Sequence, residues 1–164
     1  VLRHPVPRRL SDECAFRIVT YNIHKCRGMD GRVRPQRIVQ VLREVDADII
    51  ALQEVLSGRG YPEVEQARFI AESLGFNYAF GENRRIGGNA YGNAVLTHLP
   101  IVMHENYDLS HGRREERGCL RADIAVGGDV LHVYNVHLGT AYMERRHQGR
   151  RLMESRVLTR ADVT

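Results

Sequence analysis

The run Ala47-Asp48-Ile49-Ile50-Ala51-Leu52-Gln53-Glu54-Val55 narrows the possible folds more than any other part of the chain. It is short and mostly apolar, with a polar pair near its end. A run of that length reads as a strand covered on both faces, and such strands belong to sheets with helices packed on them. The preceding residues agree. Phe16-Arg17-Ile18-Val19-Thr20-Tyr21-Asn22-Ile23 alternates apolar and polar, as a strand does. Residues 24–34, with Gly28 and Gly31, read as a loop. Pro35 suits a helix start, and Ile38, Val39, Val41, Leu42 and Val45 recur at helical spacing. Strand, helix, strand in that order predicts two adjacent parallel strands.

The later sequence changes character. A glycine-rich turn at 57–61 leads to a helix predicted over Pro62–Leu74, stopped by Gly75. Tyr78–Phe80, Tyr91–Thr97, Ile101–Leu109, Gly118–Val126 and Val130–His137 then read as strands. Gly87-Gly88, Pro100 and Gly127-Gly128-Asp129 separate several of them, and the paired glycines signal hairpins. Tyr142–Arg160 reads as a charged helix with a sparse apolar face of Leu152, Val157 and Leu158. The whole predicts a mixed α/β sheet with helices packed against it.

Composition excludes some classes. The 164 residues are 43% hydrophobic, with mean hydropathy −0.38, an ordinary globular balance. No apolar run approaches the roughly 20 residues of a membrane-spanning helix. Residues 1–14 read as a flexible basic arm with no apolar segment behind it, so no secretory signal is expected. Cys14, Cys26 and Cys119 form no Cys-x-x-Cys pair, which fits a reducing compartment, and a cytoplasmic location is expected. A zinc site from His24, Cys26 and Cys119 matches no known ligand spacing. The net charge of +4 and pI near 9.2 favour phosphate-bearing partners. Lys25 is the only lysine, however, and so uniform an arginine bias says little about nucleic acid by itself.

The chemistry-bearing residues fall at strand ends. Asn22 closes the first strand and Glu54 the second, where α/β sheets gather ligands. A carboxamide and a carboxylate are hard oxygen donors, suited to Mg²⁺, Mn²⁺ or Ca²⁺. His137 closes the last strand on the same side as Asn135, and its imidazole can bond a phosphate oxygen or steady a leaving group. Asn93 follows Gly92 on another strand and can contact substrate or its own backbone. The basic residues of 111–121 and 145–151 can meet phosphates, but Glu115, Glu116, Glu144 and Glu154 dilute them. Taken singly, a glutamate or histidine at a sheet rim is usually a solvated or satisfied group.

Four blocks taken together resemble the endonuclease/exonuclease/phosphatase superfamily. They are Thr20-Tyr21-Asn22-Ile23-His24, Asp48–Val55, Gly92-Asn93-Ala94-Val95-Leu96-Thr97 and Asn135-Val136-His137-Leu138. They stand in that family's order, and the first block looks closest to small bacterial members. The resemblance implies a four-layer α/β/β/α sandwich of the deoxyribonuclease I-like type, with helices outside, two sheets inside and the active site at one end across both sheets. It implies a hydrolase using Mg²⁺ or Mn²⁺, held by Asn22 and Glu54 with Glu54 the direct ligand. His137 would be catalytic beside the scissile phosphate, with His24, Asn93 and Asn135 toward substrate. A nucleic acid, a phospholipid head group or an inositol phosphate would serve as that phosphate ester.

Departures accompany the resemblance. The family's later Asp-x-Asn pair and near-terminal Asp-His have no counterpart. No aspartate from Asp12 to Asp162 is followed two residues on by Asn, or directly by His. The chain thus reads as the first part of that fold, over 15–164. An unpartnered inner sheet face is expected to be exposed and to favour a dimer. Two other readings stay open: a non-catalytic metal- or anion-binding domain of the same fold, and a basic nucleic-acid-binding module. The second is weakened by the absence of Trp and by an aromatic content of 7%.

Overall fold

The computed structural model describes residues 15–154, so the predicted basic arm and the helix beyond Glu154 lie outside the described residues. The elements in order are β1 (Ile18–Asn22), a single 3₁₀ turn (His24–Cys26), α1 (Pro35–Val45), β2 (Ile49–Ser57), α2 (Gln66–Leu74), β3 (Asn77–Ile86), β4 (Asn89–Thr97), β5 (Ile101–Asp108), β6 (Gly118–Val126), β7 (Asp129–Val136) and α3 (Tyr142–Glu154). The first sheet has the order β1-β2-β4-β3 and the second β5-β6-β7. β1 and β2 are parallel, as the strand–helix–strand pattern predicts, and every other pairing is antiparallel.

β2 is central, and alternate residues serve opposite cores. Ile50 and Leu52 pack with Ile38, Val39 and Leu42 of α1 and Ala67, Ile70 and Ala71 of α2. Ile49 faces the other way, where Ala79 and Val95 meet Leu120, Ala122 and Ile124 of β6. Beyond β6 a third cluster joins Leu109, Cys119, Tyr107, Tyr134 and Val136 to Leu152 of α3. The layers are therefore α1/α2, first sheet, second sheet, α3. The second sheet covers the inner face of the first across β2, β3 and β4, while on β1 Ile18, which pairs with inward-facing Ile49, stays 57% exposed, so that edge keeps the expected exposure. Among the described residues no helix is long and apolar enough to cross a membrane.

Local chemistry explains the boundaries. Pro35 supplies the first turn of α1, and Asp46 ends it in the left-handed region (φ 51°), its N–H bonded to the Leu42 carbonyl. α2 starts at Gln66, later than predicted. The Tyr61 carbonyl accepts the N–H groups of Val64 and Glu65, and Gly58 N–H bonds the Val64 carbonyl, so 58–65 folds back onto the end of β2. β3 is much longer than Tyr78–Phe80: the charged stretch Glu82–Arg85 stays paired with β4 down to the Gly87-Gly88 hairpin, where φ is 56° and 81°. At Gly92 the strands approach so closely that a Cβ would strike the Gly81 carbonyl oxygen.

Candidate active site

The site begins with a bulge. β2 pairs Leu52 with Ala94 and then Val55 with Gly92, so Gln53 and Glu54 together oppose Asn93 alone. Glu54 takes up the extra residue in a left-handed conformation, φ 57°. Among the described residues, the other non-glycines with positive φ are Asp46 at the end of α1 and the consecutive trio His24, Lys25 and Cys26, with φ of 46°, 56° and 55°. Backbone strain is thus gathered on two segments that meet, and strain of this kind concentrates at functional sites. Tertiary contacts hold the trio in place. Cys26 is buried in the helix-side core. Gln66, fully buried on α2, donates to the Lys25 carbonyl at 2.8 Å and accepts Leu56 N–H at 3.0 Å.

At the end of β1, beside the bulge in β2, four side chains converge. Asn22 Nδ2 donates to Glu54 Oε1 at 3.0 Å, and Asn22 Oδ1 accepts His24 N–H at 3.0 Å. His24 Nδ1 lies 2.9 Å from Glu54 Oε2 and Lys25 Nζ 3.5 Å from the same oxygen. An ionised carboxylate only accepts, so His24 Nδ1 carries a proton. Burial would raise the Glu54 carboxyl, but the hydrogen bonds from Asn22 and His24 and the Lys25 charge outweigh it and hold the group at about 2, below its ordinary 4.5.

A second set continues the rim toward the other sheet. Tyr91, buried, has the Arg84 guanidinium 4.9 Å and Lys25 Nζ 5.7 Å from its ring centroid. Burial, with the Glu54 and Glu115 charges, pushes its hydroxyl up to about 12, so it stays protonated. Glu115 bridges two arginines, at 2.7 Å to Arg84 Nη2 and 2.8 Å to Arg117 Nη2. Arg117 Nη1 then faces His137 Nδ1 at 3.2 Å. Burial and the Arg117 charge hold the His137 pKa down, against the opposing pull of Glu54 and Glu115.

A neutral seam lies beneath this charged rim. Gln53 Nε2 donates to Asn135 Oδ1 at 2.7 Å, and Asn135 Nδ2 donates to the Leu52 and Ala94 carbonyls at 2.8 and 2.9 Å. Asn93 Nδ2 reaches the carbonyls of Gly118 and Asn135 at 3.2 and 3.3 Å. These bonds stitch the two sheets together at the site. α3 adds a brace: Gln148 accepts Gly139 N–H at 2.8 Å, two residues past His137.

The structure thus brings Asn22, His24 and Glu54 together and puts His137 at the same end. Asn93 and Asn135, expected toward substrate, are buried with their amides committed to protein carbonyls; they support the rim from below. Sequence reading missed Lys25, Gln53, Gln66, Arg84, Tyr91, Glu115 and Arg117. The zinc grouping is not formed. Cys26 lies in the helix-side core and Cys119 on the outer face of the second sheet, and burial raises their thiols to about 12 and about 11. The donors at Glu54 fit a hard divalent cation. The carboxylate is ionised, and magnesium needs only one or two protein carboxylates, keeping several waters.

Comparison with known proteins gives a consistent picture. Residues 19–162 match the family model described as the Endonuclease/Exonuclease/phosphatase family. Protein YbhP of Escherichia coli strain K12 is 32% identical over 149 residues, covering 84% of this chain and 59% of that protein. The chain therefore spans less than two thirds of that relative's length. Among solved structures, an endonuclease/exonuclease/phosphatase from Beutenbergia cavernae superposes with a TM-score of 0.72 at 24% identity, over 85% of this chain and 44% of that one. D. rerio TDP2, solved with a single-strand DNA product, superposes with a TM-score of 0.64 at 17% identity, over 85% of this chain and 55% of that one. At these identities the two structures show a shared fold.

Proposed function

The chain belongs to the endonuclease/exonuclease/phosphatase family, and on that premise we propose that its site serves the hydrolysis of a phosphate ester with a divalent metal ion, Mg²⁺ or Mn²⁺, at Glu54. One observation carries the reading: a bulged, left-handed glutamate within β2, beside the end of β1, kept ionised by Asn22, His24 and Lys25. Such strain and such a displaced pKa mark a functional carboxylate.

Each residue has a role in this reading. Glu54 is the ligand, and Asn22 aims it by bonding one carboxylate oxygen. When bound, the ion would polarise a phosphoryl oxygen and stabilise the charge that builds during displacement. Lys25 adds positive charge beside Glu54, and His24 orients the second carboxylate oxygen. His137, neutral and partly buried, donates a hydrogen bond to a phosphate or leaving oxygen. Asn93, Asn135 and Gln53 fix the distance between the two sheets, and hence between Glu54 and His137. Nucleic acid is the substrate class to try first, because the TDP2 neighbour was solved with a single-strand DNA product. Phospholipid head groups and inositol phosphates come next.

A second reading has its own support. Both Glu54 oxygens already receive protein donors, with the Lys25 charge beside them. A domain so equipped would bind a metal or an anion without turnover. The discriminating experiment titrates Mg²⁺ and Mn²⁺ into the chain while thermal melting and hydrolysis of bis-p-nitrophenyl phosphate are followed, with Glu54→Ala alongside. Metal at one hundred times its dissociation constant stabilises by about 2.7 kcal/mol. Stabilisation and turnover, both lost in the variant, support the phosphoesterase. Stabilisation alone supports the binding domain. A folded chain showing neither has no metal site at Glu54.

A further inference from the structure

We infer that Arg117 is a positioning residue: its guanidinium occupies the Nδ1 lone pair of His137 and so fixes the ring's single proton on Nε2, leaving that nitrogen as the donor for the substrate. The purpose of this arrangement rests on the phosphoesterase reading; its geometry does not.

Arginine cannot accept a hydrogen bond. A guanidinium has five N–H donors and no acceptor, and it stays charged in proteins. Arg117 Nη1 stands 3.2 Å from His137 Nδ1. That contact is a hydrogen bond only if Nδ1 holds a lone pair, because a protonated Nδ1 would set one N–H against another. The ring is therefore neutral, with its proton on Nε2. The groups that act electrostatically on the ring are Arg117, Glu115 and Glu54. Both carboxylates favour an imidazolium, so without Arg117 the balance tips toward a second proton.

Arg117 is itself held to this task. It is buried, 7% exposed. Glu115 grips Nη2 at 2.8 Å, and Arg84 grips Glu115 from the other sheet at 2.7 Å. The backbone is pinned as well: Arg117 N–H donates to Ser110 Oγ at 3.2 Å, and its carbonyl accepts Leu109 N–H at 2.8 Å. Yet Arg117 Nε is buried with no hydrogen-bond partner.

Nitrogen-15 spectroscopy of the histidine rings in the 164-residue chain reads the proton directly, with the His137 signal assigned by its loss in His137→Gln. At neutral pH the expected wild-type result is a bare Nδ1, a protonated Nε2, and a through-hydrogen-bond coupling from Nδ1 to Arg117 Nη1. A protonated Nδ1 overturns the inference. In Arg117→Met the ring should become doubly protonated or lose its preference for Nε2–H, and an unchanged ring in a folded variant overturns it equally. If that variant does not fold, the wild-type spectrum decides. The result is independent of metal binding, so failure of the phosphoesterase reading shows up separately, in the metal titration.

Discussion

Replacing Glu54 with Gln should destabilise the chain at neutral pH, by an amount that disappears as the pH falls. In the folded chain the carboxyl sits at about 2 against an ordinary 4.5. At 1.36 kcal/mol per pH unit, that gap corresponds to a ceiling of about 3 kcal/mol. The side chain keeps 15% of its exposure, and solvent screening of an accessible carboxylate brings the expected value to about 1.5 kcal/mol. The sign follows from linkage. A depressed carboxyl contributes stability above its unfolded pKa, and that contribution drains away as pH falls from about 4.5 toward 2. Glutamine has no such proton to bind. Urea denaturation of wild type and Glu54→Gln across that range should therefore show curves separated near neutrality and converging in acid. For a chain of this size about 1.5 kcal/mol is a melting shift of roughly 3–6 °C. A pH-independent difference, or a variant more stable than wild type at neutral pH, would refute the idea that Asn22, His24 and Lys25 hold Glu54 ionised.

Two further outcomes follow from buried groups. Asn135→Ala removes three hydrogen bonds across the sheets and leaves the Leu52 and Ala94 carbonyls short of a donor, costing about 2–4 kcal/mol in denaturant titration; a loss under about 0.5 kcal/mol would mean that the seam does not stitch the sheets. Cys26 and Cys119, with thiols raised by burial, should react with a thiol reagent only on unfolding; modification of either in the folded chain at the rate of a free thiol contradicts their placement.

The sequence was most readable where one local signal set the outcome. Pro35 and the spacing of Ile38, Val39 and Leu42 define α1, and glycine pairs mark the hairpins. Asn22 stands at the end of β1 as expected, whereas β2 runs on past Glu54 to Ser57, because the bulge lets the strand stay paired with β4. The extent of β3 was not legible. Glu82–Arg85 has no apolar alternation, and it stays extended because β4 pairs with it, a tertiary effect. Arg84, Glu115 and Arg117 were hidden for a related reason. Arg84 lies far along the chain from Glu115 and Arg117, and its ion pair with Glu115 exists only once the second sheet closes on the first. The charges of 111–121 look in the sequence like a mixed, solvated run, but Glu115 and Arg117 are drawn out of it into the site. The cover that β6 gives to β2, β3 and β4 was not legible, because apolar alternation in a strand does not say which sheet will meet it.

The bulge at Gln53–Glu54 explains how one strand serves both a core and a site. Without it, period-two alternation from Ile50 and Leu52 would point Glu54 into the helix-side core, where an ionised carboxylate is very costly. The inserted residue breaks that phase. Glu54 turns out to the rim, and the next residue, Val55, resumes the helix-side position, fully buried. Gln53 keeps the inward direction of Ile49 and Ala51 and reaches Asn135. The left-handed backbone at Glu54 is the condition for this sorting. It costs on the order of 1–3 kcal/mol, and the apolar packing of Ile50, Leu52 and Val55 on either side is large enough to hold it. Core and site are therefore coupled through the backbone of two residues. Deleting Glu54 would leave Gln53 alone opposite Asn93 and Val55 still opposite Gly92, a regular ladder with the core kept and the rim carboxylate lost.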